Sequence, residues 1–461
     1  MRVKARAMNF WESTRSSYWF TPSVMCLAAV VGSALSLWLD RTLLAEGNSE
    51  SSWFYTGSVE GARSLLSTIA GSLISVAGVT YSITIVALTL ASNQFGPRLL
   101  RNFMRDLGNQ IVLGTYLSAF LFSLLVLRQV HGGEGGEYRA FIPQVSILIA
   151  VLLAVLGVGV LIFFIHHIAA SIQAPQVIAT VADEFREAID KLYLEENDET
   201  KDDEASLREE LERQIPAAFE RNAAEIRIDE GGYLQRIECN QLFDEAVNRD
   251  LVIQVACRPG QFLTAGDVVL RAFPAERVDA ARRRDLRQTL AMGSQRAIGQ
   301  DAEFAVDQLV EIALLALSPG VNDSFTAMMV VDRLGEVLSH MAERRPPSPY
   351  RTDEKGRLRL IDQPLAFTKM FDAAFTQIRQ NSADNLAVML RLFRAAAQIA
   401  RRLHDPLRQN HLRRFISALY EQASNLSGAP QDREALLKQY QEAVEALGTD
   451  AEAKEEDAEH S

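Results

Sequence analysis

Charge is missing from four stretches of this chain. Residues 21–39, 65–91, 111–127 and 145–165 contain no Asp, Glu, Lys, Arg or His. An α-helix rises about 1.5 Å per residue and the hydrocarbon layer of a bilayer is about 30 Å thick, so roughly 20 apolar residues cross it. Soluble cores rarely supply four charge-free runs so close together, and residues 1–175 read as a transmembrane domain of four spans. Ionisable groups inside spans usually mark proton relays and ion-coupled transport. Their absence argues against a proton-coupled transporter or an intramembrane protease.

Other absences narrow the function further. The chain has 3 cysteines in 461 residues: Cys26 inside an apolar run, Cys239 and Cys257 beyond it. Neither a C-x-x-C pair nor zinc-like spacing occurs among them, so they read as reduced core residues and no metal site is assigned. The sequence contains no H-E-x-x-H, Walker loop, nucleophile elbow or kinase set, which leaves no catalytic residue to name and an enzyme unsupported. A hairpin-like stretch around residues 251–273 resembles those of biotinyl and lipoyl carrier barrels. It has no lysine from Ile226 to Phe273, which excludes a covalently attached cofactor there, and no other cofactor is implied.

What is present is unevenly distributed. Of 47 Lys+Arg and 59 Asp+Glu, residues 1–175 hold 11 and 8, leaving 36 and 51 for the remainder. That acidic remainder lacks the basic face that would neutralise phosphates, so nucleic acid is not an expected partner. Lys and Arg are retained on the cytoplasmic side of short connections. Arg2, Lys4, Arg6 and Arg15 precede the first span, and Arg98, Arg101 and Arg105 follow the second. Both termini are therefore expected in the cytoplasm, with the soluble part beside them. That part divides into a helical linker (176–224), a small β module of short β-branched runs (225–275), a helical domain (280–447) and a disordered acidic tail (450–461). The fold class expected is an α-helical membrane protein with four spans and a cytoplasmic α+β domain.

The second span carries the most information. At 100° per residue, Ser67, Gly71, Ser75, Gly78, Ser82 and Thr89 fall within an arc of roughly 80°. Small residues let helices approach closely and hydroxyls can bond across the contact, so one reading is helix packing or homo-oligomerisation. The other is a polar wall along a water-filled path, which needs several copies of the chain. Arg98, Arg101 and Arg105 share a helical face after Gly96-Pro97; they suit lipid headgroups or anions at a pore mouth. His166-His167 ends the fourth span, and metal binding by an adjacent pair is not expected. Glu311 and Asp323 form a possible carboxylate pair, with Asn322 or Asp323 as an N-cap.

The phrases Met8-Asn9-Phe10-Trp11-Glu12-Ser13, Ser92-Asn93-Gln94-Phe95-Gly96-Pro97-Arg98, Phe164-Ile165-His166-His167 and Leu317-Ser318-Pro319-Gly320-Val321-Asn322-Asp323 resemble the predicted bacterial membrane protein family catalogued as domain of unknown function 2254. The resemblance covers roughly residues 8–425. It implies a bacterial inner-membrane location and assigns no activity or site residue. Two functions follow as expectations: an oligomeric channel or pore component lined by the second span and gated by the cytoplasmic domain, or a membrane-anchored sensor or scaffold that binds an unidentified cytoplasmic ligand or protein.

Overall fold

The computed structural model describes residues 19–45, 58–99, 106–132, 141–193, 201–296, 298–425 and 429–459. The chain forms two compact units, one ending at Gln176 and one beginning at Val177.

The first unit consists of α1 (Phe20–Ala45), α2 (Val59–Phe95), α3 (Leu107–Leu127) and α4 (Gln144–Ser171). All four are long and apolar enough to cross a membrane. The central helix is α3, with 56% of its apolar window buried against 22% in each of the others. Its composition explains the position, because small residues replace bulk where neighbours approach. A Cβ on Gly114 would collide with Met25 Sδ of α1. Tyr116 Oη donates to the carbonyl of Gly157 on α4 at 2.6 Å, and a Cβ on Gly157 would stand 3.3 Å from Leu73 of α2. Lipid tails are as apolar as these helices, so contacts of this kind, and not removal from water, hold such a bundle together.

The second unit takes most of α5 (Ala174–Leu192), the boundary falling in the first turn of that helix, and continues with α6 (Lys201–Arg213). Its strands are β1 (Ala224–Arg227), β2 (Gly232–Ile237), β3 (Val252–Val255), β4 (Phe262–Leu263), β5 (Val268–Phe273), β6 (Leu290–Gly293), β7 (Tyr350–Thr352) and β8 (Leu358–Ile361). They form a five-stranded sheet in the order β1-β5-β3-β8-β7 and a three-stranded sheet in the order β4-β2-β6. Between them come α7 (Cys239–Arg249) and α8 (Ala280–Arg287). A helical layer follows: α9 (Ala302–Ala316), α10 (Ser324–Ala342), α11 (Phe367–Asn381), α12 (Leu386–Ala400), α13 (Pro406–Ser424) and α14 (Pro430–Glu459). Phe371, Phe375 and Phe393 are fully buried within this layer. Asp301, Asp323, Asn385 and Asp405 cap four of its helices through their side chains, each satisfying N–H groups that a helix start leaves without partners.

Two sequence expectations need correction. Residues 280–447 are not wholly helical, because β6 completes the small sheet and β7 and β8 interrupt the helices at 350–361. Those strands are three or four residues long, too short for a period to show. Arg359 also interrupts β8 as a charge, yet it is buried on two aspartates: its Nε meets Asp353 at 2.9 Å and its Nη2 meets Asp250 at 2.8 Å. The acidic tail expected from residue 450 continues α14 to Glu459, as its run of Ala, Glu and Lys, all good helix formers, allows.

Candidate functional site

The stripe on α2 faces outward. Ser67, Gly71, Ser75, Gly78, Ser82 and Thr89 are all exposed on the single chain, and a Cβ added at Gly71 or Gly78 would have no atom within 4 Å. The opposite face, including Leu66, Ile69, Leu73, Ala77 and Thr80, is the one buried against the bundle. Packing within one copy therefore does not explain the small residues. Their hydroxyls are satisfied locally. Ser75 Oγ donates to Gly71 O at 2.8 Å, Ser82 Oγ to Gly78 O at 2.9 Å and Thr89 Oγ1 to Ile85 O at 2.9 Å. A hydroxyl bonded to the carbonyl one turn back needs no outside partner, so the face suits a second helix as well as water. With 37 residues, α2 is about 56 Å long and exceeds the hydrocarbon thickness.

Gly96, at φ 97°, ends α2 in a conformation that favours glycine. Its N–H bonds back to Ser92 O. Pro97–Leu99 then forms a 3₁₀ turn that leaves Arg98 exposed. Arg101 and Arg105 lie outside the described residues.

Two polar locks fix the ends of the bundle. At one, Asp40 on α1 is 2% exposed and accepts hydrogen bonds from Val145 N at 2.8 Å, Ser146 N at 3.0 Å and Ser146 Oγ at 2.6 Å. The N-cap residue of α4 is Pro143, which offers no side-chain cap. A carboxylate from another helix thus satisfies the N–H groups of α4 and lies at the positive end of its dipole. At the other end, Asp106 caps α3 through Gly108 N at 2.9 Å and meets His167 Nε2 of α4 at 2.6 Å. The ring of His167 stacks on Phe163. Glycine at position 108 leaves room for the ring, since a Cβ there would stand 2.5 Å from His167 Nε2 and push it aside. Close by in sequence, Thr21 Oγ1 donates to Gln110 Oε1 at 2.8 Å.

Neither Asp40 nor Asp106 stands out in the sequence as a bundle contact. The available signal is position: each is an acid within a few residues of an apolar run, where a free charge gains nothing from the membrane.

In the second unit, Asp323 caps α10 by accepting from Phe325 N, Thr326 N and Thr326 Oγ1. Those bonds hold its carboxyl below the usual range, and they account for it without a pairing to Glu311. Burial pushes the thiol of Cys239 up to about 11 and that of Cys257 up to about 12. Both are therefore protonated near neutral pH and poorly nucleophilic. Among the described residues no group of three or more His, Cys, Asp or Glu converges as a metal site.

A profile of the family described as predicted membrane protein, domain of unknown function 2254, matches residues 15–398. An uncharacterized protein of Mycobacterium bovis is 29% identical over 397 residues, covering 85% of this chain and 74% of its own. Uncharacterized proteins of two Mycobacterium tuberculosis strains match to the same extent. No solved structure matches the chain.

Proposed function

This chain belongs to the predicted membrane protein family catalogued as domain of unknown function 2254, and we propose that it is an oligomeric inner-membrane channel component whose second spans meet between copies and line a passive path. The observation that carries this reading is the outward exposure of Ser67, Gly71, Ser75, Gly78, Ser82 and Thr89. Three helices packed around α3 enclose little space, so a permeant species requires a wall built from several copies. The basic residues that flank the spans support an orientation with both termini in the cytoplasm, and Arg98 would then stand at the cytoplasmic mouth. The second unit, joined through α5, is the gate or vestibule.

A second reading is a membrane-anchored sensor or scaffold in which the stripe serves only contact between copies. It is favoured by the back-bonded hydroxyls, which make the face complete without water.

Flux across liposomes containing the purified protein tests the channel, and two substitutions separate the readings. For a channel, Ser75→Leu leaves the oligomer intact and abolishes flux, while Gly78→Leu disrupts the oligomer. For contact alone, both substitutions dissociate the copies and the unsubstituted protein passes no ions. An obligate monomer without conductance under varied voltage, tension and salt overturns the channel.

A further inference from the structure

The β3–β8 pair is parallel in a sheet whose β1–β5, β3–β5 and β7–β8 pairs run antiparallel, with Ile253 opposite Leu360 and Gln254 opposite Ile361. Parallel pairing sends both chains out at the same end of the sheet. The loops at the carboxyl ends of parallel strands are where open sheets of this kind place ligands. Here those loops carry Arg258 and Asp362, and both line a cavity of about 190 Å³ together with Tyr193, Cys239, Glu303 and Leu365. At about 30 Å³ per water that volume holds roughly six waters, below the several hundred Å³ of drug-sized pockets. A cavity of that size suits a small metabolite.

The charges in the cavity are of both signs. Asp301, also in the wall, is already matched by Arg296, which bonds both of its carboxylate oxygens at 2.7 and 2.9 Å. Arg258, Glu303 and Asp362 are half-buried. Among the described residues the guanidinium of Arg258 has no hydrogen-bond or ion-pair partner. Asp362 Oδ1 accepts from Gln363 N, whereas Oδ2 has only the Cys239 thiol, at 3.8 Å. A partly desolvated charge without a partner is costly: the guanidinium of Arg258 is in that state, Asp362 keeps an oxygen whose one contact is a thiol, and Glu303 makes no hydrogen bond among the described residues, only a charge interaction with Arg296. A ligand with only an acid would satisfy Arg258 and face Glu303 and Asp362. One with only an amine would leave Arg258 unmatched.

We propose that this cavity binds a small zwitterion, with its carboxylate on Arg258 and its ammonium on Asp362 and Glu303. The site is independent of whether α2 lines a pore. Its wall includes Leu192 and Tyr193, at the end of the helix α5 that begins at Ala174, soon after α4 ends at Ser171. The same stretch of α5 is tied to α10 by Asp190, which meets His340 at 2.7 Å and Arg344 at 2.8 Å. Occupancy therefore bears on the helix that follows the fourth span in sequence.

The test uses full-length protein in detergent, with glycine, proline, β-alanine and γ-aminobutyrate as two-headed probes and ethylamine and propionate as one-headed ones. Calorimetry should show at least one zwitterion binding with Kd below about 1 mM, and each one-headed probe at least tenfold weaker. Arg258→Gln and Asp362→Asn should each weaken that zwitterion at least tenfold; if either fails to fold, Arg258→Lys or Glu303→Gln carries the same expectation. The proposal is overturned if no zwitterion binds at 10 mM, if ethylamine or propionate binds as tightly, or if the folded variants bind unchanged.

Discussion

The two units of this chain reverse each other's surface. In the first, the outside of the bundle is apolar, with Leu27, Trp38, Leu152, Val155 and Ile162 all more than half exposed, while Ser36, Asp40, Asn109, Gln110, Ser123 and Ser146 are buried. In the second, Ile226, Leu234, Ile253, Leu270 and Leu360 form a closed apolar cluster against the sheets. The difference shows which force each unit relies on. Water drives the second unit's core together at about 25 cal/mol per Å² of apolar surface buried. Between helices in lipid that term is nearly absent, and polar locks and close contact take its place.

This contrast can be broken most severely at Asp40. Asp40→Ala removes the carboxylate acceptor for three donors, two of them backbone N–H groups at the start of α4, and should cost about 4 kcal/mol, since a buried charged hydrogen-bond network is lost from one side. Denaturant titration of the detergent-solubilised protein should read this loss, with Asp40→Asn recovering part of it. A matched pair of leucines comes next. Leu334 in α10 and Leu66 in α2 are both 0% exposed. Leu334→Ala should cost about 3 kcal/mol through lost transfer energy plus a cavity, whereas Leu66→Ala should cost about half as much because only the cavity applies. Equal losses in the two unfolding curves would contradict the distinction.

Smaller effects sharpen it. Gly108→Ala pushes a methyl into His167 and should cost about 1 kcal/mol, the loss of a partly exposed pair plus local strain. Its check is thermal stability compared with His167→Ala, which should make Gly108→Ala harmless. The smallest effect is in acid. Hydrogen bonds from Arg277 and Arg359 hold the Asp250 carboxyl down at about 2, below its unfolded value of about 3.9. A lowered native pKa adds stability above the unfolded value and loses it as pH falls through the native one. The unfolding midpoint of the second unit should thus fall between about pH 4 and pH 2, and Asp250→Asn should flatten that part of the profile.

Features repeated along the chain were legible before the structure. Four apolar runs showed as helices α1 to α4, and the alternation at residues 233–237 and 268–273 lies within β2 and β5. The stripe on α2 was also visible, because helical geometry alone puts its members on one face. Which way that face pointed was not, since the answer depends on which residues α3 offers to its neighbours. Pairings between distant segments were hidden for the same reason. Asp40 is 106 residues from Ser146, and β8 joins β3 across more than 100 intervening residues. Neither leaves a local pattern. Arg258 and Asp362 lie in loops far apart in sequence, and the parallel pair alone brings those loops to one end of the sheet.

The most direct test of α2 as the face between copies is crosslinking in membranes after the native Cys26, Cys239 and Cys257 have been replaced. With Ser75→Cys or Ser82→Cys, a short bis-maleimide should produce covalent dimers in high yield, while Val155→Cys on the exposed face of α4 should give almost none. Equal yields at Ser75→Cys and Val155→Cys, or no dimer at any stripe position, would contradict it.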